Sequence, residues 1–217
     1  RALPGLEAVE LVLAAGVHLV REATGLPEPL GVTTPALLLV EASAPAGPEE
    51  VLADVVGDLD GVLDAAVALD GPRRAQLWRY REEHTGAIGR LGAPHKFDVT
   101  LPGDELAAFV DEAPGLVASV APAARTWLFG HAADGNVHVN VTGLAPDDEA
   151  VADAVLRRVA ALGGSISAEH GIGRAKRRWL HLARTPAEVE AMRAVRAALD
   201  PAGTCNPGVL LPPRGTA

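Results

Sequence analysis

Apolar residues recur at helical spacing from Leu6 to Ala23, and Glu7 and Glu10 come early, as in the first turn of a helix; the pattern predicts a helix here. The following EATGLPEPLGVTTP is dense in chain breakers and reads as a loop. ALLLVEAS, from Ala36, is an apolar run of strand length, and PEEVLADVVGDL opens on Pro48 and two glutamates, a helix start. VLDAAVAL, residues 62–69, is short and reads as a second strand. From Pro72, RRAQLWRYREEHTGAIGRL predicts one helix ending near Gly89 or Gly92. HKFDVTLP alternates as a strand does and is stopped by Pro102. GDELAAFVDEAPGLVASV predicts a helix with Asp104 as its cap. RTWLFGHAADGNVHVNVTG is two strand-like runs around Asp-Gly, a hairpin pattern. DDEAVADAVLRRVAAL and TPAEVEAMRAVRAAL predict two more helices, the second capped by Thr185 with Glu188 three residues on. The tail DPAGTCNPGVLLPP is extended and turn-rich.

Strands alternating with helices would suit a doubly wound parallel sheet. The alternating HKFDVTLP and the hairpin favour an antiparallel sheet instead. The fold class expected is α+β: a ferredoxin-like antiparallel sheet, helices packed on one side, and a helical C-terminal segment. Residues 1–35 would be a helix and linker leading in, 36–160 the sheet with its helices, and 161–217 a Glu-His-Gly segment, helices and tail.

Composition narrows the class. The 217 residues are 48% hydrophobic but only 3% aromatic, so aliphatic side chains must fill the core. A net charge of −9 argues against broad binding of nucleic acid or anionic membrane. No apolar run approaches the roughly 20 residues of a spanning helix, and the opening RALPGLEAVELVLAAG lacks the layout of a signal peptide. The single cysteine, Cys205, excludes an internal disulfide and suits a reducing, cytoplasmic setting.

The densest chemistry is GHAADGNVHVN, residues 130–140. If Asp134-Gly135 forms a two-residue turn, His131 stands opposite His138 and the two imidazoles can share a metal ion. Asn140, two residues past His138, lies on the same face. From spacing alone, solvated or core histidines are the commoner outcome, and two ligands do not make a site. SAEHGIG offers a third in Glu169, with His170 beside it. Two histidines and one carboxylate leave positions open for water or substrate, as catalytic sites do. Arg81 and Thr85 are four apart on one helix face, and Lys96 opens an otherwise apolar strand, where an inward lysine needs a partner. Taken alone Arg81 reads as a surface charge. Gathered with a metal, these groups suit a small anion.

WRYREEHTGAI, HKFDVTLP, GHAADGNVHVN, SAEHGIG and LDPAGTCNPG, in that order, resemble the C-terminal substrate domain of FAD-linked 2-hydroxy-acid oxidoreductases of the vanillyl-alcohol oxidase type. That group includes D-lactate dehydrogenase, the glycolate oxidase flavin subunit and D-2-hydroxyglutarate dehydrogenase. The likeness runs from about Leu6 to Pro212. It implies that His131, His138 and Glu169 ligate a divalent metal, zinc first, with manganese or iron as alternatives. It implies that Arg81, Thr85, Lys96 and Asn140 hold the substrate, that His170 sits beside the reacting carbon as the base, and that Asn206 lies near the flavin ring. One departure is Ala133, where the family usually has glycine; a positive φ there would not suit alanine.

The reaction implied is oxidation of a D-2-hydroxy acid to the 2-oxo acid, with FAD as the hydride acceptor. The flavin-binding domain of the family lies N-terminal to this one, and no glycine-rich phosphate-binding stretch of that kind occurs in these residues. The chain is therefore expected to be a fragment or one piece of a split enzyme, colourless and inert alone, with an exposed face through which two copies could form a homodimer. The competing readings are a non-catalytic, metal-dependent anion-binding module and a purely structural metal site. His170 separates them, because a sensor has no use for a base beside its ligand.

Overall fold

The computed structural model describes residues 5–43 and 48–213. Strands β1 (Leu6–Leu13), β2 (Ala36–Ala42), β3 (His95–Thr100), β4 (Arg125–His131) and β5 (Asn136–Thr142) form one antiparallel sheet in the order β2-β1-β4-β5-β3. The helices are α1 (Ala14–Thr24), α2 (Pro48–Gly57), α3 (Gly71–Glu82), α4 (His84–Gly89), α5 (Gly103–Val120), α6 (Ala150–Ala161) and α7 (Pro186–Leu199). The class is α+β. Among the described residues no helix is long and apolar enough to cross a membrane.

The ferredoxin-like part runs β3-α5-β4-β5-α6 and then reaches Ser165, which bridges back to Thr100 through two backbone hydrogen bonds of 3.0 and 2.8 Å. That is a βαββαβ path whose last strand is reduced to a single bridge. Helices α5 and α6 cover one face, packing Phe109, Val117, Val155 and Leu156 on Val99, Leu128 and Val139. The expectation of helices on one side holds only for this part. On the opposite face α1, α3 and α4 pack Val20, Tyr80, Ala87 and Ile88 against Val12, Trp127 and Phe129. A sheet with large apolar side chains on both faces needs cover on both.

The helix expected from Leu6 to Ala23 divides: Leu6–Leu13 is strand and only Ala14–Thr24 is helix. The run LEAVELVL has apolar residues on both faces of a strand that is paired on both edges, to β2 and to β4. Such a run satisfies a helical and a strand template equally, and the two hydrogen-bonded ladders decide. The segment 1–35 is thus no lead-in, because it supplies an interior strand of the sheet.

VLDAAVAL forms no strand. It lies outside the ladders, with Leu63 and Leu69 exposed, and Asp64 instead accepts the Gly31 N–H at 2.8 Å. The single helix expected from Pro72 breaks at Glu83 into α3 and α4. Asp70 caps α3 by accepting the Arg73 N–H at 2.7 Å, with proline in the first turn. Asp104 does not cap α5; the cap position is Pro102, and Asp104 sits inside the first turn, where its charge faces the helix dipole. Thr185 and Glu188 form the expected reciprocal capping box on α7.

Candidate active site

The hairpin loop is longer than the expected two residues. A 3-10 turn, Ala132–Asp134, and Gly135 connect β4 to β5, so His131 pairs with Asn136 and His138 with Phe129. The register has moved by two residues. Because side chains alternate with period two, a shift of two leaves each side chain on the face it had. His131 and His138 therefore still share a face, with ring centroids 5.3 Å apart. Gly135 takes the left-handed conformation (φ 66), and a Cβ there would lie 2.2 Å from the Leu101 carbonyl oxygen. Positive φ does not fall on Ala133, so alanine costs the loop nothing at that position.

Reading across β1-β4-β5-β3, the site face consists of rows of paired residues. One row runs Glu10, His131, Asn136, Thr100; the next runs Val12, Phe129, His138, Asp98; a third runs Trp127, Asn140, Lys96. Each histidine thus has a buried carboxylate beside it on the neighbouring strand. Glu10 Oε1 accepts from His131 Nδ1 at 2.7 Å, and Asp98 Oδ1 stands 3.4 Å from His138 Nδ1. Carboxylates placed behind imidazoles in this way orient rings that bind metals.

Helices α3 and α4 roof the face and the loop after Ser165 closes one side. Arg81 extends its guanidinium over the Phe129 ring, 4.6 Å from the centroid. Its Nε donates to Glu10 Oε2 at 2.6 Å and its Nη2 approaches His131 Nε2 at 3.3 Å. Asp98, fully buried, accepts the backbone N–H groups of Glu169 and His170 through Oδ2, at 2.5 and 2.8 Å. Lys176, itself buried, donates to the Asp98 carbonyl oxygen at 3.1 Å. These contacts hold the Glu-His pair against β3.

The result is a cavity of about 280 Å³. Arg81, Thr85, Lys96, His131, His138, Asn140, Glu169 and His170 all line it, with Phe97 and Phe129. Every sequence-expected site residue is brought together here except Asn206, which lies exposed in the C-terminal turn with a left-handed backbone (φ 45). Arg196 of α7 fixes that turn by donating to the Cys205 and Asn206 carbonyls at 2.8 and 3.0 Å.

One ligand atom from each of His131, His138 and Glu169 lies within 4.8 Å of the others, and His131 Nε2 is 3.6 Å from Glu169 Oε1. For bonds of about 2.0–2.2 Å to a tetrahedral ion, neighbouring ligand atoms lie about 3.4 Å apart. The donor set therefore fits a divalent ion with small movements. Burial, with the Arg81 cation nearby, holds the His138 imidazole below its ordinary pKa despite Asp98, which keeps it in the neutral form that ligation needs. Burial pushes the Asp98 carboxyl up, but the His170 and Glu169 N–H groups and the adjoining histidines outweigh it and hold Asp98 ionised. Asp98, His138 and His170 form a second set of potential ligand atoms within the same distance, sharing His138.

Sequence reasoning missed Glu10, Asp98, Lys176 and His84. Asp98 could have been found: it stands two residues from Lys96 in an alternating strand, hence on the same face. Glu10 was hidden by the helical reading of its segment. His84 is 1% exposed and sits 5.0 Å from the Phe129 ring between centroids; burial, with the Arg81 cation, lowers its pKa to about 4 against the pull of the Tyr80 and Arg81 backbone carbonyls.

The family described as FAD linked oxidases, C-terminal domain, matches residues 2–210. Among curated proteins the chain is 36% identical over 197 positions to D-2-hydroxyglutarate dehydrogenase of Stutzerimonas stutzeri (strain A1501), covering 84% of this chain and 42% of that protein. It is also 36% identical over 224 positions to the mitochondrial D-2-hydroxyglutarate dehydrogenase of Bos taurus, covering 98% of this chain and 40% of that one. The chain spans about two fifths of the length of these relatives. The match spans nearly the whole chain, and the chain belongs to the family of FAD-linked oxidase C-terminal domains.

Proposed function

We propose that this chain is the substrate- and metal-binding domain of an FAD-dependent dehydrogenase that oxidises a D-2-hydroxy acid to the 2-oxo acid, with 2-hydroxyglutarate, the substrate named for its relatives, ahead of lactate and glycolate. The observation that carries this reading is the convergence of the ligand set His131, His138 and Glu169 with the cations Arg81 and Lys96 on one cavity.

Charge supports a bound cation. Around the cavity Arg81, Lys96 and Lys176 face Glu10, Asp98 and Glu169, so the fixed charges cancel. A divalent ion on the ligand set makes the site positive and gives an acid a reason to enter. Zinc is the first choice for two imidazoles and a carboxylate, with manganese or iron compatible with the same donors. When bound, the ion would act as a Lewis acid on the substrate hydroxyl, and FAD would supply the hydride acceptor.

The chain's own residues do the rest. Arg81 spends Nε on Glu10 and Nη2 on His131, and its guanidinium lines the cavity. Lys96 has no carboxylate at ion-pair distance among the described residues and is available to a substrate carboxylate. Thr85 and Asn140 add hydrogen bonds that fix the acid's orientation, which is where much of the rate comes from. His170, on the exposed side, accepts the hydroxyl proton. Asn206 sits on a turn whose backbone Arg196 fixes, from which its side chain would meet the flavin ring.

The test is a panel of D- and L-2-hydroxy acids on the complete flavin-containing protein, before and after chelation. Oxidation of D-2-hydroxyglutarate, lost with the metal and restored by zinc or manganese, is expected. A protein that binds hydroxy acids with its metal in place yet turns over none is a binding module.

A further inference from the structure

We propose that Glu10 is a positioning residue of the site: its one carboxylate sets the His131 ring with the proton on Nδ1 and Nε2 bare toward the cavity, and anchors Arg81 in the cavity wall. This deepens the metal reading above and rests on it for its consequence, but not for its geometry.

The argument starts from donors and acceptors. Glu10 is 4% exposed, on the strand beside β4, directly paired with His131. An ionised carboxylate only accepts, so the 2.7 Å contact from Glu10 Oε1 requires a proton on His131 Nδ1. A guanidinium only donates, so Arg81 Nη2 at 3.3 Å from His131 Nε2 requires that nitrogen to be unprotonated. The two contacts agree on one tautomer. It is the one that leaves a lone pair on the nitrogen 3.6 Å from Glu169 Oε1, where a metal would bind. The other oxygen, Oε2, takes the Arg81 Nε proton at 2.6 Å. One buried side chain therefore holds a ligand and a cation in fixed relation, Arg81 being the placeholder at Nε2 that an incoming ion displaces.

Glutamine has the size of glutamate but one acceptor and one donor. In Glu10→Gln, an oxygen kept on Arg81 turns the amide N–H₂ toward His131 Nδ1, forcing the proton to Nε2. The reverse orientation would keep the wild-type tautomer, but it sets N–H₂ against the Arg81 Nε–H and gives up the shorter of that guanidinium's two contacts, 2.6 Å against 3.3 Å, so the first orientation is the one adopted. Either way one contact is lost. Glu10→Asp keeps two acceptors on a shorter stem.

The decisive measurement uses the metal-free 217-residue chain with ¹⁵N-labelled histidine, reading the His131 tautomer from two-bond ¹H–¹⁵N correlations, with the signal assigned by its loss in His131→Gln. Wild type should show Nδ1–H with bare Nε2, Glu10→Gln should move the proton to Nε2 or average the two, and Glu10→Asp should keep the wild-type pattern. A wild-type ring protonated at Nε2 overturns the proposal without any variant, and so does a pattern unchanged in Glu10→Gln. Zinc titration of the same proteins, at a temperature where each is folded, gives the consequence: an affinity about 10- to 100-fold weaker in Glu10→Gln is expected for a residue that orients a ligand, and a change under twofold overturns it. A wild-type chain that binds no zinc, manganese or iron ends the metal reading, and the tautomer alone then decides on Glu10.

Discussion

Asp98 accepts the backbone N–H of His170 at 2.8 Å, and through the same oxygen that of Glu169 at 2.5 Å. Two residues of a loop far along the chain are thereby hung from the middle of β3. In Asp98→Asn the charge is lost and one of the two carboxylate oxygens is replaced by an N–H₂ donor. Stability should fall by about 2 kcal/mol, the order of a lost hydrogen bond to a charged group. Hydrogen exchange should speed at least tenfold at the Glu169 and His170 amides. Unchanged exchange at those two amides would show that the loop is held by something else.

Arg81 and Glu10 are both largely buried and paired at 2.6 Å. Removing either leaves the other charge in a low-dielectric setting, so Arg81→Ala and Glu10→Ala should each cost about 3 kcal/mol in urea unfolding. The double variant should cost less than their sum by about 1.5–3 kcal/mol, as for directly coupled sites. Additive losses would mean that the pair carries no coupling.

His84 gives the fold an acid sensitivity of defined sign. It stays neutral in the folded chain down to about pH 4, whereas the unfolded chain takes up the proton near 6.5. The unfolded state therefore binds more protons between those values, and stability is full above pH 6.5 and declines as pH falls toward 4. Between pH 7 and pH 5 the loss from this one group is about 2 kcal/mol. Asp98, whose folded pKa is depressed, adds its own loss only lower, as pH falls below its ordinary 3.8. Urea midpoints at pH 7 and pH 5 should converge in His84→Leu relative to wild type. An equal pH difference in the variant would clear His84.

The hairpin loop makes opposite demands at two positions. Gly135→Ala must bear a left-handed φ, at about 1–2 kcal/mol, and in addition a clash with the Leu101 carbonyl. It should lose more than 2 kcal/mol. Ala133→Gly relieves no strain here and should lower stability by about 0.4–1 kcal/mol through the unfolded chain. A thermal melt that rises for Ala133→Gly would contradict the loop conformation.

Much of the site was legible in the chain because strand chemistry is modular. His131, His138, Asn140 and Lys96 share a face through a periodicity of two, and that relation survived a hairpin loop longer than expected because the register slipped by two residues rather than one. The capping box on α7 and the α+β class were likewise local in origin, set by spacing within short segments. The tertiary structure alone decided the rest. LEAVELVL fits helix and strand templates alike until β2 and β4 supply ladders on both its edges, and only then does Glu10 become a buried neighbour of His131 instead of a charge on a helix's first turn. VLDAAVAL has the composition of a strand but no edge to join, and it stays exposed. The second helical layer and the suspension of Glu169 and His170 from Asp98 depend on contacts between residues some seventy positions apart. Such contacts leave no periodic trace, because what selects them is the burial of a charge that must find its partners in space rather than in sequence.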